Sequence, residues 1–383
     1  MRVAPGIAVE AFLRRDSPTG IEYTRGQRGG PVALGVGPLV CEIVEHAMTS
    51  QHQDQRLRGE EALIRLLAPL AGDAPGAFAL ADDCALIAVE PGTKLVLKTD
   101  PVAEGVHFFG DDAPEDIGWK ALAVNASDLA AKAARPLGYL MALSFPEAPT
   151  TAWFKRFTAG LEAAQTAFGC HLLGGDTDRR PGPITITITI LGSVEGCGMV
   201  RRGTAQPGDV LFVSGTLGDA FLGLALRKDA ALAGRWGLAS DEAQHLIQRF
   251  LRPQPRLALA SALRAHASAA MDVSDGLAKD LARMCSASGC AGHVRLADVP
   301  LSAAGAKAAA ADPALAAGMV TAGDDYEVLA AVPAANAEAF RARAVGDGIP
   351  VRPIGALGGG SGVVIAGDDG RPLALDHLGW DHF

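Results

Sequence analysis

The sequence contains neither a Gly-x-x-x-x-Gly-Lys-Ser/Thr loop nor a Gly-x-Gly-x-x-Gly turn. The two commonest backbone cradles for nucleotide phosphates are thereby excluded. Cysteines are few and scattered, at 41, 84, 170, 197, 285 and 290, and none forms a Cys-x-x-Cys pair. That leaves no zinc ribbon and no thioredoxin-like site, and it fits a reducing cytoplasm better than a disulfide framework. No run is long and apolar enough to span a bilayer. The first residues carry Arg2 and Pro5 without a hydrophobic run, so no secretory signal is expected. Positive charge is in deficit: the net charge is −9, which argues against nucleic acid or an anionic membrane as partner. Phosphate can still be bound locally, because metal ions invert the sign of an acidic site.

What is present is a chain of 383 residues, 49% apolar and 20% charged, long enough for two domains with sizeable cores. Residues 1–57 differ from the rest. They hold Asp16-Ser17-Pro18-Thr19-Gly20, Arg25-Gly26-Gln27-Arg28-Gly29-Gly30-Pro31 and a polar stretch from Thr49 to Arg56. This reads as a poorly ordered extension, with Met48 as a candidate true start and a partner-binding arm as the alternative. From Gly59 onward the hydrophobic pattern becomes regular. Helices are expected at 60–70, 117–134 and 151–169, and strands at 84–89, 95–99 and 137–145. The stretch Pro183 to Leu191 alternates isoleucine and threonine, a period-two strand with one buried face. A glycine-rich break near 195–207 separates two halves, 58–200 and 201–383. Beyond it, strands are expected at 210–214, 269–273, 326–332, 351–354 and 362–365. Helices are expected at 218–227, 241–251, 256–266, 275–286 and 335–345. The class is α+β, with an α/β arrangement in each half.

Five short stretches set an aspartate among very small residues: Ala81-Asp82-Asp83, Lys98-Thr99-Asp100, Ala126-Ser127-Asp128, Gly174-Gly175-Asp176 and Asp272-Val273-Ser274-Asp275-Gly276. Small neighbours leave room beside the carboxylate for water, a hard cation and phosphate. Each has a plain structural reading. Asp82-Asp83 precedes an expected strand as a turn or cap, Asp128 lies inside an alanine-rich helix, and Ser274 suits an N-cap. Asp100 and Asp272 sit at expected strand ends, where α/β sheets build sites, and Asp176 follows Gly174-Gly175 after an expected strand, an arrangement that lets backbone approach an anion closely. Gathered together, these carboxylates would repel one another without cations, so the set implies bound metal and metal-held polyphosphate. His107, the Arg201-Arg202 pair and the second acidic turn Asp324-Asp325-Tyr326-Glu327 complete the candidates. A guanidinium suits phosphate.

In order along the chain, these segments resemble the thiamine-monophosphate kinase family. The resemblance is carried by Ala81-Asp82-Asp83-Cys84-Ala85, by Thr99-Asp100 with Glu104-Gly105-Val106-His107-Phe108, and by Lys120 to Ala131. It continues through Gly174-Gly175-Asp176-Thr177, Arg202 with Pro207-Gly208-Asp209, Asp272 to Leu277, Gly323 to Glu327 and the ending Leu375 to Phe383. It implies a two-domain fold like aminoimidazole-ribonucleotide synthetase, with an N-terminal domain that pairs by its sheet in a homodimer. It implies transfer of phosphate from ATP to thiamine monophosphate with several Mg²⁺ ions. By the same resemblance Asp83, Thr99, Asp100, Asp128, Asp176, Asp272 and Asp275 would bind Mg²⁺. Gly175, Asp176, Arg202 and Ser274 would contact ATP, and His107, Asp324 and His377 would contact the substrate.

Some positions depart from the family pattern. Ala81 replaces a usual glycine, Lys98 a usual small Ser or Thr, Asp324 a usual Glu, and His377 a position that is often aromatic. Rival readings are a selenophosphate synthetase-like or hydrogenase maturation-like enzyme of the same superfamily, or a non-catalytic nucleotide-binding homologue. The first usually has a reactive Cys or selenocysteine beside a Lys in an N-terminal glycine-rich loop. The second ends in Cys, whereas this chain ends in His382-Phe383.

Overall fold

A computed structural model describes residues 55–381, apart from 197 and 368. Residues 1–54, and with them most of the expected extension, lie outside the described residues, as does the terminal His382-Phe383 pair. The first described residues run beside 149–151: the Leu57 amide donates to Pro149 O at 2.9 Å, and the Thr151 amide to Gln55 O at 3.0 Å.

The first half builds a four-stranded sheet from β1 (Thr93–Ala103), β2 (Arg135–Phe145), β3 (His171–Arg179) and β4 (Thr185–Glu195), in the order β1-β4-β2-β3. The isoleucine–threonine alternation makes β4 a central strand, antiparallel to both neighbours. Ile186, Ile188 and Ile190 are fully buried, and they pack with Tyr139, Met141 and Leu143 of β2 on one face. Two helices, Pro114–Ala131 and Thr151–Phe168, cover that face. They cross closely: a Cβ on Gly118 would lie 2.4 Å from Phe157 O, and one on Gly160 only 2.0 Å from Glu115 O. Only glycine fits at such a crossing. The opposite face carries Leu95, Leu97 and Leu140, all exposed, with Leu97 at 63%.

Three expectations need correction here. β1 does not end at Thr99 but continues through Asp100 to Ala103, because it is an edge strand and tolerates Pro101, whose missing N–H need not meet a ladder. Residues 84–89 form no strand. The Leu86 amide bonds Gly76 O instead, and its side chain is 69% exposed. Asp176 lies within β3 rather than after a strand.

The second half builds a six-stranded sheet from β5 (Asp209–Ser214), β6 (Ala269–Val273), β7 (Ala291–Arg295), β8 (Glu327–Pro333), β9 (Val351–Gly358) and β10 (Gly362–Ala366), ordered β10-β7-β9-β5-β8-β6. β5, β6 and β8 are buried along almost their whole length, so both faces are covered. Helix Leu277–Ser288 packs on one side, while Ala260–His266 and Ala337–Gly346 pack on the other. The alanine-rich helix Pro114–Ala131 touches β1 and β4 of the first sheet and β6 and β8 of the second. Its small side chains are buried on every side, which is what a helix apolar all round requires. It therefore carries residues of the first half to the edge of the second.

Candidate active site

Strand register decides which side chains of β1 face inward. Lys98 and Asp100 lie opposite Ile190 and Ile188, whose side chains are buried beneath the helices. Thr99 faces the other way. Its hydroxyl donates to Ile188 O at 3.1 Å and accepts from the Thr189 hydroxyl at 3.0 Å. Helix Pro114–Ala131 then closes on β1: Asn125 Oδ1 accepts the Asp100 amide at 2.9 Å. Three residues on, Asp128 lies on the same helix face. The Lys98 ammonium bridges the two acids, 3.0 Å from Asp100 Oδ2 and 2.9 Å from Asp128 Oδ2. Burial opposes the lysine's charge, but the carboxylates of Asp128 and Asp100 outweigh it and hold its pKa above the ordinary value. Burial raises the Asp100 carboxyl, with Lys98 working against the shift.

The second half contributes the end of β6. Asp272 is 6% exposed, and burial, followed by the charge of Asp128, pushes its carboxyl up to about 8. The chain then turns sharply at Gly276, where φ is 111°, into helix Leu277–Ser288. Asp280 in the first turn of that helix accepts the amides of Ser274 and Asp275, both at 2.9 Å. Burial pushes the Asp280 carboxyl up to about 6. Arg283 Nη1 sits 2.6 Å from Asp275 and 2.8 Å from Asp280. Lys132, just past the alanine-rich helix, donates to Ala270 O at 2.7 Å, and burial lowers its pKa against the pull of Asp272 and Asp128.

The second acidic turn packs against the first. The Asp324 amide donates to Ser274 O and the Tyr326 amide to Val273 O, each at 2.9 Å. Asp324 and Tyr326 hold left-handed backbone at φ 72° and 49°. Such a conformation is strained for these residue types and persists only where its surroundings enforce it. The Asp324 carboxylate is fixed at both oxygens, by Lys120 Nζ at 2.8 Å and by the Tyr326 hydroxyl at 3.2 Å. Lys120 is 3% exposed, with its ammonium 3.8 Å above the Phe250 ring.

Asp100, Asp128, Asp272, Ser274, Asp275, Asp324, Arg202, His107 and His377 all line one cavity of about 1510 Å³. Lys98, Lys132, Arg201 and Arg283 line it too, and Phe109, Phe221 and Phe250 supply an apolar wall. Asp83, Thr99, Gly175 and Asp176 are not among its lining residues. Asp83 is exposed on the strandless stretch after Leu80. Asp176 is exposed on β3, where its carboxylate accepts the Thr177 amide at 2.8 Å. β1 and β3 are opposite edges of the sheet, three strand spacings or roughly 14 Å apart. Asp176 pairs in register with Ala142, and Ala142 with Thr187, so it also belongs to the face opposite Asp100. A Cβ on Gly175 would lie 1.9 Å from Met141 O, so strand pairing by itself demands this glycine.

Sequence reasoning gave no role to Lys120, Lys132 or Arg283. Lys120 had a readable signal: it is one charge inside the apolar run from Ile117 to Val124. Among the described residues no group of three or more His, Cys, Asp or Glu converges on a single metal position. The donor set nevertheless suits Mg²⁺, which takes one or two carboxylates and completes its shell with water and substrate phosphate.

Residues 81–194 match the family of AIR synthase related proteins by its N-terminal domain, and residues 206–368 by its C-terminal domain. The thiamine-monophosphate kinase of Caulobacter vibrioides is 40% identical over 324 residues, 84% of this chain and 89% of that protein. AaThiL complexed with AMPPCP and TMP superposes with a TM-score of 0.67 at 31% identity, over 86% of this chain and 99% of that one. HypE, a hydrogenase maturation protein of E. coli, also reaches 0.67 over 84% and 99%, but at 22% identity it shares the fold alone. With both domains matched in order and a 40%-identical kinase covered almost throughout, the chain belongs to the thiamine-monophosphate kinase family, phosphotransferases built on the AIR synthase related fold.

Proposed function

We propose that this chain transfers the terminal phosphate of ATP directly to thiamine monophosphate, giving thiamine diphosphate and ADP. The observation that carries this reading is the meeting of Asp100 and Asp128 from the first half with Asp272, Ser274, Asp275 and Asp324 from the second at one cavity. The complex of the related AaThiL with AMPPCP and TMP supports the choice of both substrates. The acceptor is itself a phosphate with a second pKa of about 6, so at neutral pH it is mostly deprotonated and needs no strong general base. The task left to the protein is alignment of two anions and neutralisation of their repulsion.

Asp100, Asp128, Asp272 and Asp275 would hold Mg²⁺ on the cavity wall, and Asp83, Thr99 and Asp176 are proposed to complete the set. Bound Mg²⁺ would neutralise charge on the transferring and receiving phosphates. Arg202 would clamp the nucleotide phosphates, and Ser274 and Gly175 would contact ATP. His107, Asp324 and His377 would contact the acceptor beside the phenylalanine wall.

Asp83, Gly175 and Asp176 are proposed to act across a homodimer. The uncovered face of the first sheet, with Leu95, Leu97 and Leu140 exposed, is the surface on which a second copy would sit. Such pairing would carry the far-edge Asp176 of one copy toward the near-edge Asp100 of the other. A cytoplasmic setting is part of the same proposal.

The test is purified protein with ATP, Mg²⁺ and thiamine monophosphate, following thiamine diphosphate. Formation of that product supports the reading. No product, together with turnover of another acceptor, removes it.

A further inference from the structure

Lys98 holds the place between two acids that a bridging cation would need. Its ammonium lies 3.0 Å from Asp100 Oδ2 and 2.9 Å from Asp128 Oδ2, lengths of charge-assisted hydrogen bonds. The two acids come from different elements, a strand and a helix. The Asn125 side chain, bonded to the Asp100 amide at 2.9 Å, fixes their spacing. Lys98 and Asp100 are two residues apart on one face of β1, which sets the lysine stem beside the acid. A divalent ion bridging the same two oxygens would sit at about 2.0–2.1 Å from each, inside the volume the ammonium fills.

We propose that Lys98 is a resident replacement for one divalent cation: it bridges Asp100 and Asp128 permanently. The nucleotide-bound enzyme therefore takes up one ion fewer than its acidic residues would otherwise draw. A lysine ammonium has three donors. Two meet the carboxylates, and the third is available to phosphate in the cavity that Lys98 lines. Asp272, Asp275 and the outer oxygens of Asp100 and Asp128 would hold the remaining ions. The inference rests on the metal-assisted phosphoryl-transfer reading above.

The experiment counts Mn²⁺ bound by the full chain in the presence of AMPPCP, by equilibrium dialysis and electron paramagnetic resonance. Lys98→Ser and Lys98→Met, both neutral, should bind about one Mn²⁺ more per chain than wild type, and Lys98→Arg the wild-type number. Anomalous scattering from Mn²⁺-soaked wild-type crystals, which needs no variant, should show no ion bridging Asp100 Oδ2 and Asp128 Oδ2. Equal Mn²⁺ counts in wild type and the neutral variants, or a bridging peak in wild type, overturn the assignment of Lys98 and leave the phosphoryl-transfer reading standing. If wild type shows no nucleotide-dependent Mn²⁺ binding at all, both fall.

Discussion

Lys120 and Asp324 stand 204 positions apart in sequence and meet at 2.8 Å, the ammonium on Asp324 Oδ2 and the Tyr326 hydroxyl on Oδ1. The lysine comes from the helix of the first half and the aspartate from the second. The contact therefore ties the proposed acceptor-binding carboxylate to the helix that carries Asp128.

Lys120→Met should loosen Asp324 without emptying the core, since the methionine keeps the contact with Phe250. A hydrogen bond between charged groups contributes about 1.5–3 kcal/mol. The KM for thiamine monophosphate should therefore rise about tenfold or more, while the KM for ATP changes little. Steady-state kinetics with each substrate varied in turn decide this. A parallel fall in affinity for both substrates would make Lys120 a general structural residue instead.

Asp128→Asn should abolish turnover, by about a thousandfold or more, while the protein still melts cooperatively. Asp128 is partly exposed at the cavity and paired with Lys98, so its loss opens no void in the core. Near-normal activity in this variant would mean that the metal ligands have been misassigned.

The separation of Asp176 from Asp100 by the full width of the sheet gives a sharper test. Chains carrying Asp128→Asn and chains carrying Asp176→Asn should each be inactive alone. If sites are shared across a dimer, mixing and reassociating them creates one site with both aspartates intact, and activity returns to a fraction near a quarter to a half of wild type. Inactive mixtures of demonstrably mixed dimers would place Asp176 outside any shared site.

Asp272 makes a prediction about pH. Its carboxyl is raised by burial to about 8, so the folded metal-free chain keeps a proton that the unfolded chain releases near 3.8. Stability should therefore fall as pH rises through that window. A divalent ion can stand in for the proton. Mg²⁺ with AMPPCP should accordingly raise the melting temperature more at about pH 8.5 than at about pH 6, by at least about 2–4 °C. In Asp272→Asn the difference between the two pH values should shrink, leaving what Asp280 and Asp100 contribute.

Much of the fold was legible because its signals are local. The isoleucine–threonine alternation announced β4, and the apolar run Ala269 to Val273 announced β6 with its ends as expected. β3 was harder to read: Gly174-Gly175-Asp176-Thr177-Asp178 resembles a loop, and only its place on an exposed edge explains so polar a strand. Helix Ala303–Ala311, almost all alanine, has no apolar stripe to detect and was not anticipated, and neither were helix Leu315–Thr321 and β7. At the site, the aspartates showed themselves through their small neighbours. Lys98 was visible as a departure from the family pattern, but its position between two carboxylates depends on a helix–strand contact that no spacing encodes. Lys132 at a helix end and Arg283 within a helix are ordinary cations in sequence, and only tertiary packing brings them to Ala270 O and to the acids Asp275 and Asp280.

The Asn125 side chain has a consequence for how the molecule can be watched. Asp100 lies on an edge strand, yet its amide hydrogen is held by a residue of the neighbouring helix rather than by a strand. Exchange of that one amide with solvent therefore requires the helix to part from the sheet, while the β1 amides that pair with β4 report on the ladder. Comparing their exchange rates, with and without nucleotide, would separate opening of the cavity wall from melting of the sheet, using a reporter already built into the backbone.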